Sequence, residues 1–195
     1  MPRPPRALAR ARRAVTGRPA RYCPTVPLPL VTERLALRPF VPDDADEMRE
    51  TVWGDPEVMA LLDGPLDRAG VDRELQRLSE HQERNGFSFW AVVDRETGLL
   101  AGECGLFSLE GRGPEIELGY TFGRTWWGQG YATEAAQATL TEGFGPLGLD
   151  RVVAVTRHEN HRSQAVLRRL GFAAAGSRLA YGREQRFYEL VRPHA

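Results

Sequence analysis

The sequence predicts a mixed α/β (α+β) fold: a central, twisted, mostly antiparallel sheet of about seven strands, flanked by about four helices. Three observations lead there. The chain of 195 residues and 21.8 kDa holds one sizeable core but not two comfortable ones. Between residues 87 and 122, three strand-like runs follow one another across short turns. Such runs must be antiparallel neighbours, because a parallel link needs a crossover of a dozen or more residues. Beyond residue 122, helical and strand-like runs alternate, so the later part of the sheet is joined through helices.

The first ordered run, "RLALRPF", alternates apolar and polar residues as a strand does, and "VPDDADEM" follows with the proline and acids of a helix start. Residues 67–85 space Val71, Leu75 and Leu78 three and four apart, which makes an amphipathic surface helix whose charges are a solvated face. Then the period changes. "FSFWAVVD" and "LLAGECGLFSL" form a hairpin around Glu96, Thr97 and Gly98, and "EGRGP" leads into a third strand, "EIELGYTF". A helix is expected from Ala132 to Phe144, a strand over 151–156, and a helix "HRSQAVLRRL" that stops at Gly171, where glycine takes the left-handed cap. "FAAAGSRLAY" and "EQRFYELVR" supply the last two strands.

Apolar residues make up 42% and charged residues 27%, the balance of an ordinary globule, and no run approaches the roughly 20 apolar residues of a membrane span. A net charge of zero hides an asymmetry: residues 1–21 carry seven arginines and no acid, whereas the remainder sets 19 arginines against 26 acids. All 26 basic side chains are arginine. Residues 1–30 read as a disordered Arg/Pro-rich extension ahead of a domain spanning 31–195. Arginines without aromatic partners are a weak nucleic-acid signal, so no nucleic-acid partner is assigned. Cys23 and Cys104 lie far apart with no CxxC spacing and no clustered histidine, so neither a disulfide framework nor a metal site is expected, and a cytoplasmic location is.

The chemistry concentrates at "WWGQGYATEAA", residues 126–136. Gly128 and Gly130 stand between a strand and a helix, so the free N–H groups of the first helical turn and the helix dipole point at whatever occupies the loop. Such a loop binds anions, with Thr133 able to add a hydroxyl. A P-loop needs a lysine that this chain lacks throughout. The dinucleotide fingerprint needs a small residue at 133, and it opens a parallel βαβ unit, whereas here three antiparallel strands come first.

The run "ELGYTF…WWGQGYATEA", with "TERLALRPF" before it and "NHRSQAVLRRLGF" after it, resembles the GNAT superfamily of acyl-CoA-dependent N-acyltransferases, and within it the RimJ/RimL type of ribosomal-protein N-terminal acetyltransferases. The resemblance runs from Thr32 to the C-terminus. It implies the GNAT fold, acetyl-CoA as co-substrate, and a glycine loop whose amides bind its pyrophosphate. Trp127, Gly128, Gln129, Gly130, Tyr131 and Ala132 fall on the family's loop pattern, with Trp127 departing from its usual Gln or Arg. The pantetheine arm would pair with the strand at Tyr120 to Phe122, and an N–H near Phe122 would meet the oxyanion. Asn160 would join the cofactor or close the turn into the following helix.

Moving an acyl group from a thioester to an amine needs a neutral amine, a donor for the developing oxyanion and a proton for the departing thiolate. Glu115 and Glu117 share one face of their strand. The resemblance makes Glu117 the base or the acid that orders a water, although a strand glutamate paired with an arginine is an equal alternative. Many relatives protonate the thiolate with a tyrosine where this chain has Leu167. Ser163 stands in RimL-like proteins as the substitute, although serine near a helix start also caps it routinely. Glu134 reads as a structural charge in the first helical turn.

The expected activity is transfer of an acetyl group from acetyl-CoA to a primary amine, a protein N-terminus or a small molecule, by direct attack in a ternary complex. The acceptor pocket is expected between the first helices and the loop around Tyr181. The alternative is a non-catalytic acyl-CoA-binding sensor or scaffold, which the missing tyrosine favours. A homodimer is compatible with either.

Overall fold

The computed structural model describes residues 25–192. Eight strands form one sheet in the order β1-β2-β3-β4-β5-β6-β8-β7. They are β1 (Leu30–Val31), β2 (Leu35–Arg38), β3 (Phe89–Asp94), β4 (Leu100–Ser108), β5 (Ile116–Phe122), β6 (Arg151–Thr156), β7 (Ala173–Ala180) and β8 (Arg183–Val191). The strand beyond the expected seven is β1. Ordered structure thus begins before the boundary expected at residue 31. Val26 and Leu30 are buried, Leu28 packs beside them, and the Val26 N–H reaches the Gly86 carbonyl at 3.0 Å. Prolines 27 and 29 disguise this alternation, because they read as loop while the apolar residues between them cover the core. Residues 1–24, which hold most of the predicted extension, lie outside the described residues.

The expected central meander is present: β3 pairs antiparallel with β4, and β4 with β5 over seven successive residue pairs from Gly102–Phe122 to Ser108–Ile116. Asp94 closes the first turn, its Oδ1 accepting from the Thr97 N–H at 2.8 Å and the Thr97 hydroxyl at 2.7 Å, while Gly98 takes a φ of 74°.

Helix α1 (Asp44–Met48) runs on as one wide π-helical turn over Arg49–Trp53, which drives Val52 and Trp53 into the core. Helix α2 (Arg68–Asn85) starts at Asp67, whose carboxylate accepts from the Gly70 N–H at 2.7 Å, and ends at Gly86 in the left-handed conformation. Its Val71 and Leu78 are buried as their spacing required, and they join Met48, Trp53, Ala91 and Phe107 in a cluster on one face of the sheet. On the other face, helices α3 (Tyr131–Phe144) and α4 (His161–Arg169) bury Ala135, Ala136, Leu140 and Leu167 against Leu106, Leu118 and Val152.

One feature of this topology positions the site. Helix α3 is the crossover between β5 and β6, which among the described residues are the only parallel neighbours, with a ladder of the single pair Glu117–Val153. Past that pair the two strands part, and β6 is held by β8 on its other side.

Candidate active site

Where β5 and β6 part, a cavity of about 550 Å³ opens. Leu118 to Thr121 of β5 and Ala154 to Thr156 of β6 form its floor, and Trp53, Phe89 and Tyr181 are among its walls. Glu117, Tyr120, Asn160 and Ser163 all line it, so the residues expected to carry the chemistry do meet in one space.

Glu117 is 6% exposed and sits at the last point where the strands are still paired. Desolvation pushes its carboxyl up to about 7, against the Tyr181 hydroxyl, which donates to Oε1 and favours the charged form. Among the described residues it has no ion pair. Its strand neighbour Glu115 takes that part, bonded to Arg151 at 2.8 Å and Arg178 at 2.7 Å. The two acids expected on one face are thus differentiated: one neutralised by arginines, one buried beside a phenol.

Tyr181 reaches Glu117 from the β7–β8 turn, where it adopts a φ of 52°. Its N–H donates to the Glu110 carboxylate at 2.9 Å and its phenolic oxygen accepts from the Glu110 N–H at 3.1 Å. This reciprocal pair holds an L-residue in the left-handed region, a conformation that surrounding contacts must enforce.

On the far side of the gap, the Tyr120 hydroxyl lies 3.0 Å from Ser163 Oγ and 3.2 Å from the Ser163 carbonyl. Burial pushes the Tyr120 phenol up, and the Ser163 hydroxyl beside it works the other way. Ser163 is in the first turn of α4, whose N-cap is Asn160: the Asn160 Oδ1 accepts from the Ser163 N–H at 3.1 Å. Of the two expectations for Asn160, the structure supplies the turn-closing contact.

The glycine loop lies apart, on the open surface at the start of α3. Gly128 and Gly130 have φ of 76° and 84°, both left-handed, and no side chain caps the helix they open. Gly128, Gln129, Gly130 and Thr133 border a shallow depression with Arg169, which donates to the Thr133 hydroxyl at 3.3 Å. Backbone amides at a helix start beside a guanidinium fit a phosphate.

Four expected cofactor residues present their side chains elsewhere. Tyr131 is buried, its hydroxyl donating to Asp94 at 2.6 Å with Arg34 over its ring. Phe122 is core. Ala132 packs partly buried against the same core. Trp127 donates its indole N–H to the Phe122 carbonyl at 2.7 Å and carries Arg162 4.3 Å over its ring, so it ties the end of β5 to α4. For these positions only the backbone is available to a ligand at the loop. Glu134 is structural as read: it accepts from the Thr32 hydroxyl at 2.6 Å and from Arg34 Nε at 2.7 Å, binding α3 to the loop before β2.

Glu103 was missed. It lies in the cavity wall on β4, accepts from the Trp53 indole at 3.1 Å, and is pushed up to about 7 by desolvation and by Glu74. The signal was in the sequence, as the one acid within the otherwise apolar run "LLAGECGLF". Among the described residues, no group of three or more His, Cys, Asp or Glu is arranged to hold a metal, and no helix is long and apolar enough to cross a membrane.

A parted strand pair, a glycine loop opening the crossover helix and a buried acid at the fork define an acyltransferase of the GNAT kind. The family model described as an acetyltransferase (GNAT) domain matches residues 34–173, and the chain belongs to that family. An uncharacterized N-acetyltransferase p20 from Bacillus licheniformis is 34% identical over 152 residues, covering 75% of this chain and 83% of its own length. An acetyltransferase from Agrobacterium tumefaciens superposes with a TM-score of 0.74 at 28% identity, over 89% of this chain and 99% of that one. The ribosomal-protein-S5-alanine acetyltransferase of Vibrio fischeri shares the fold, with a TM-score of 0.69 at 20% identity over 83% of this chain and 95% of its own.

Proposed function

We propose that this acetyltransferase moves an acetyl group from acetyl-CoA to a primary amine by direct attack within a ternary complex. The observation that carries this reading is Glu117: a buried carboxyl at the fork of β5 and β6, tuned to about 7, in one cavity with the Tyr120–Ser163 hydroxyl pair. A base with that affinity for protons is half charged at neutral pH and can take a proton from an ammonium, directly or through a water.

The pyrophosphate is held by the amides of the glycine loop and by Arg169, and the pantetheine arm runs along the unpaired edge of β5. The neutral amine attacks the thioester carbon from the Trp53 and Tyr181 side. The oxyanion is met by a backbone N–H of β5 near Phe122. As the carbon–sulfur bond breaks, the Ser163 hydroxyl, held in place by Tyr120, donates a hydrogen bond to the departing thiolate, which takes its proton from water. CoA thiol is a fair leaving group, so this donation assists a step that proceeds without a strong acid.

The test is thiol release from acetyl-CoA across amines, namely N-terminal Ala and Ser peptides, amino acids, polyamines and aminoglycosides, for the wild type and Glu117→Gln. Acceptor-dependent release that rises with pH through about 7, and falls at least about tenfold in Glu117→Gln with CoA affinity intact, supports the assignment. Binding of CoA by calorimetry with silence across every amine would move the protein to the sensor class.

A further inference from the structure

The side of the cavity that faces away from Ser163 and Asn160 is walled by apolar groups. Trp53 comes from the π-helical turn, Met59, Leu61 and Leu62 from the segment before α2, Phe89 from β3 and Phe107 from β4. The Phe89 ring packs over Gly119, where an added Cβ would stand 2.5 Å from it, and so fills the floor beside Glu117. Two large side chains that border this space are left open to solvent: Leu62 is 45% exposed and Tyr181 39%. Apolar side chains exposed singly need no partner. Two at the edge of one cavity lined by aromatic and aliphatic groups fit an apolar ligand.

The charged groups around this wall are engaged with one another. Arg77 is bonded to Glu74 at 2.8 Å and lies 4.1 Å over the Phe107 ring. Arg183 is bonded to Asp63 at 2.6 Å, and Arg157 donates to the Leu62 carbonyl at 2.8 Å and stands 3.9 Å from Glu159. Glu110 accepts from the Tyr181 N–H at 2.9 Å and has Arg112 3.9 Å away. Glu103 is out of a ligand's reach, one oxygen on the Trp53 indole and the other beneath the cavity surface.

Glu117 remains, and among the described residues it forms no ion pair. A ligand entering from this side therefore meets one carboxyl for an ammonium, no unpaired guanidinium for a carboxylate, and no second acid within reach for a second ammonium. An ion brought against such a wall without a partner loses hydration and gains no compensating contact.

We propose that the preferred acceptor is a monoamine with an apolar body and no carboxylate beside the amine, its ammonium at Glu117 and its hydrocarbon against the wall that Leu62 and Trp53 form. This rests on the acetyl-transfer reading of the same cavity. The apolar body belongs either to a free alkyl- or arylalkylamine or to the first side chain of a peptide.

Two comparisons with acetyl-CoA test it. Ethylamine, butylamine and hexylamine are equally basic and differ only in apolar length, so kcat/KM should rise along them by up to roughly fourfold per methylene, through KM. Phenethylamine should exceed both phenylalanine, which adds a carboxylate, and spermidine, which adds cations, by about tenfold or more. A peptide amide beginning with Phe separates the two sources, and the better of it and phenethylamine names the source. Leu62→Ser should flatten the rise along the alkyl series; its exposed side chain takes no part in holding Arg157, which the carbonyl does. Calorimetric titration of ethylamine and hexylamine into the CoA complex gives a readout independent of turnover. Tighter binding of hexylamine, with no turnover of any amine, would keep the apolar site and overturn the transfer reading. Turnover that is level along the series, or equal for phenethylamine, phenylalanine and spermidine, would overturn the apolar acceptor and keep the transfer. A rise that Leu62→Ser leaves in full would overturn this wall as its cause. Absence of both binding and turnover for every amine would overturn the apolar acceptor as well.

Discussion

At the residue scale, the cavity depends on two carboxyl groups whose burial is only half compensated. Tyr181 is the one hydroxyl that favours the charged form of Glu117, so Tyr181→Phe removes a stabiliser of the carboxylate and raises its proton affinity beyond about 7. The rising limb of the rate profile should move to higher pH, with turnover reduced at pH 7 and recovered toward pH 9; a limb that stays in place would detach Tyr181 from the base. Glu103 makes a second prediction, this time on stability. Its carboxyl binds a proton more tightly in the folded protein, at about 7, than a free glutamate does. The folded state therefore holds the extra proton between those values, and stability is lost as pH rises through the folded pKa. Glu103→Gln removes that loss. It should stabilise the protein at pH 8 by up to about 3 kcal/mol, and the gain should vanish near pH 4, as thermal melts at the two pH values would reveal.

At the element scale, α3 depends on its first turn. Gly128 and Gly130 are held left-handed, and Glu134 pins the same turn to Thr32 and Arg34. Any side chain at Gly130 carries a conformational cost, so charge must be separated from shape. Asparagine tolerates the left-handed region and is nearly isosteric with aspartate. Gly130→Asp should bind CoA at least about tenfold more weakly than Gly130→Asn, through repulsion of the pyrophosphate by the added charge. Equal affinities by calorimetry would remove the phosphate from this loop. The periodicity of α2, the meander of β3 to β5 and the stop of α4 at Gly171 were all legible, because each is set by neighbours in sequence. The short strand β1 was not, since the alternation of Val26, Leu28 and Leu30 that leads into it is interleaved with prolines and acquires meaning only against the core.

At the scale of the whole molecule, the sheet is continuous except at the fork, where β5 and β6 share one ladder pair. Two halves joined so sparsely gain from a ligand that bridges them. Saturating CoA, at about a hundred times its dissociation constant, should add roughly 2.7 kcal/mol of stability by mass action, seen as a rise of several degrees in melting temperature. Glu117→Gln should keep that rise, whereas Gly130→Asp should lose most of it; a melting temperature indifferent to CoA would contradict binding at the fork.

The sequence by itself determined the class of fold and the glycine loop, because these are carried by local period and by backbone freedom at glycine, and through its family resemblance it named Glu117 and Ser163 as candidates that the fold brings to one cavity. Tertiary structure alone decided the surroundings of each acid. Glu115 and Glu117 read alike on one strand face, and only packing gave one of them two arginines and the other a phenol from a turn 64 residues away. It also decided that Tyr131 and Phe122 turn into the core, that Asn160 caps α4, and that Glu103 is buried against the Trp53 indole in the cavity wall. Desolvation and charge pairing depend on what arrives from distant segments, and no local pattern encodes that arrival.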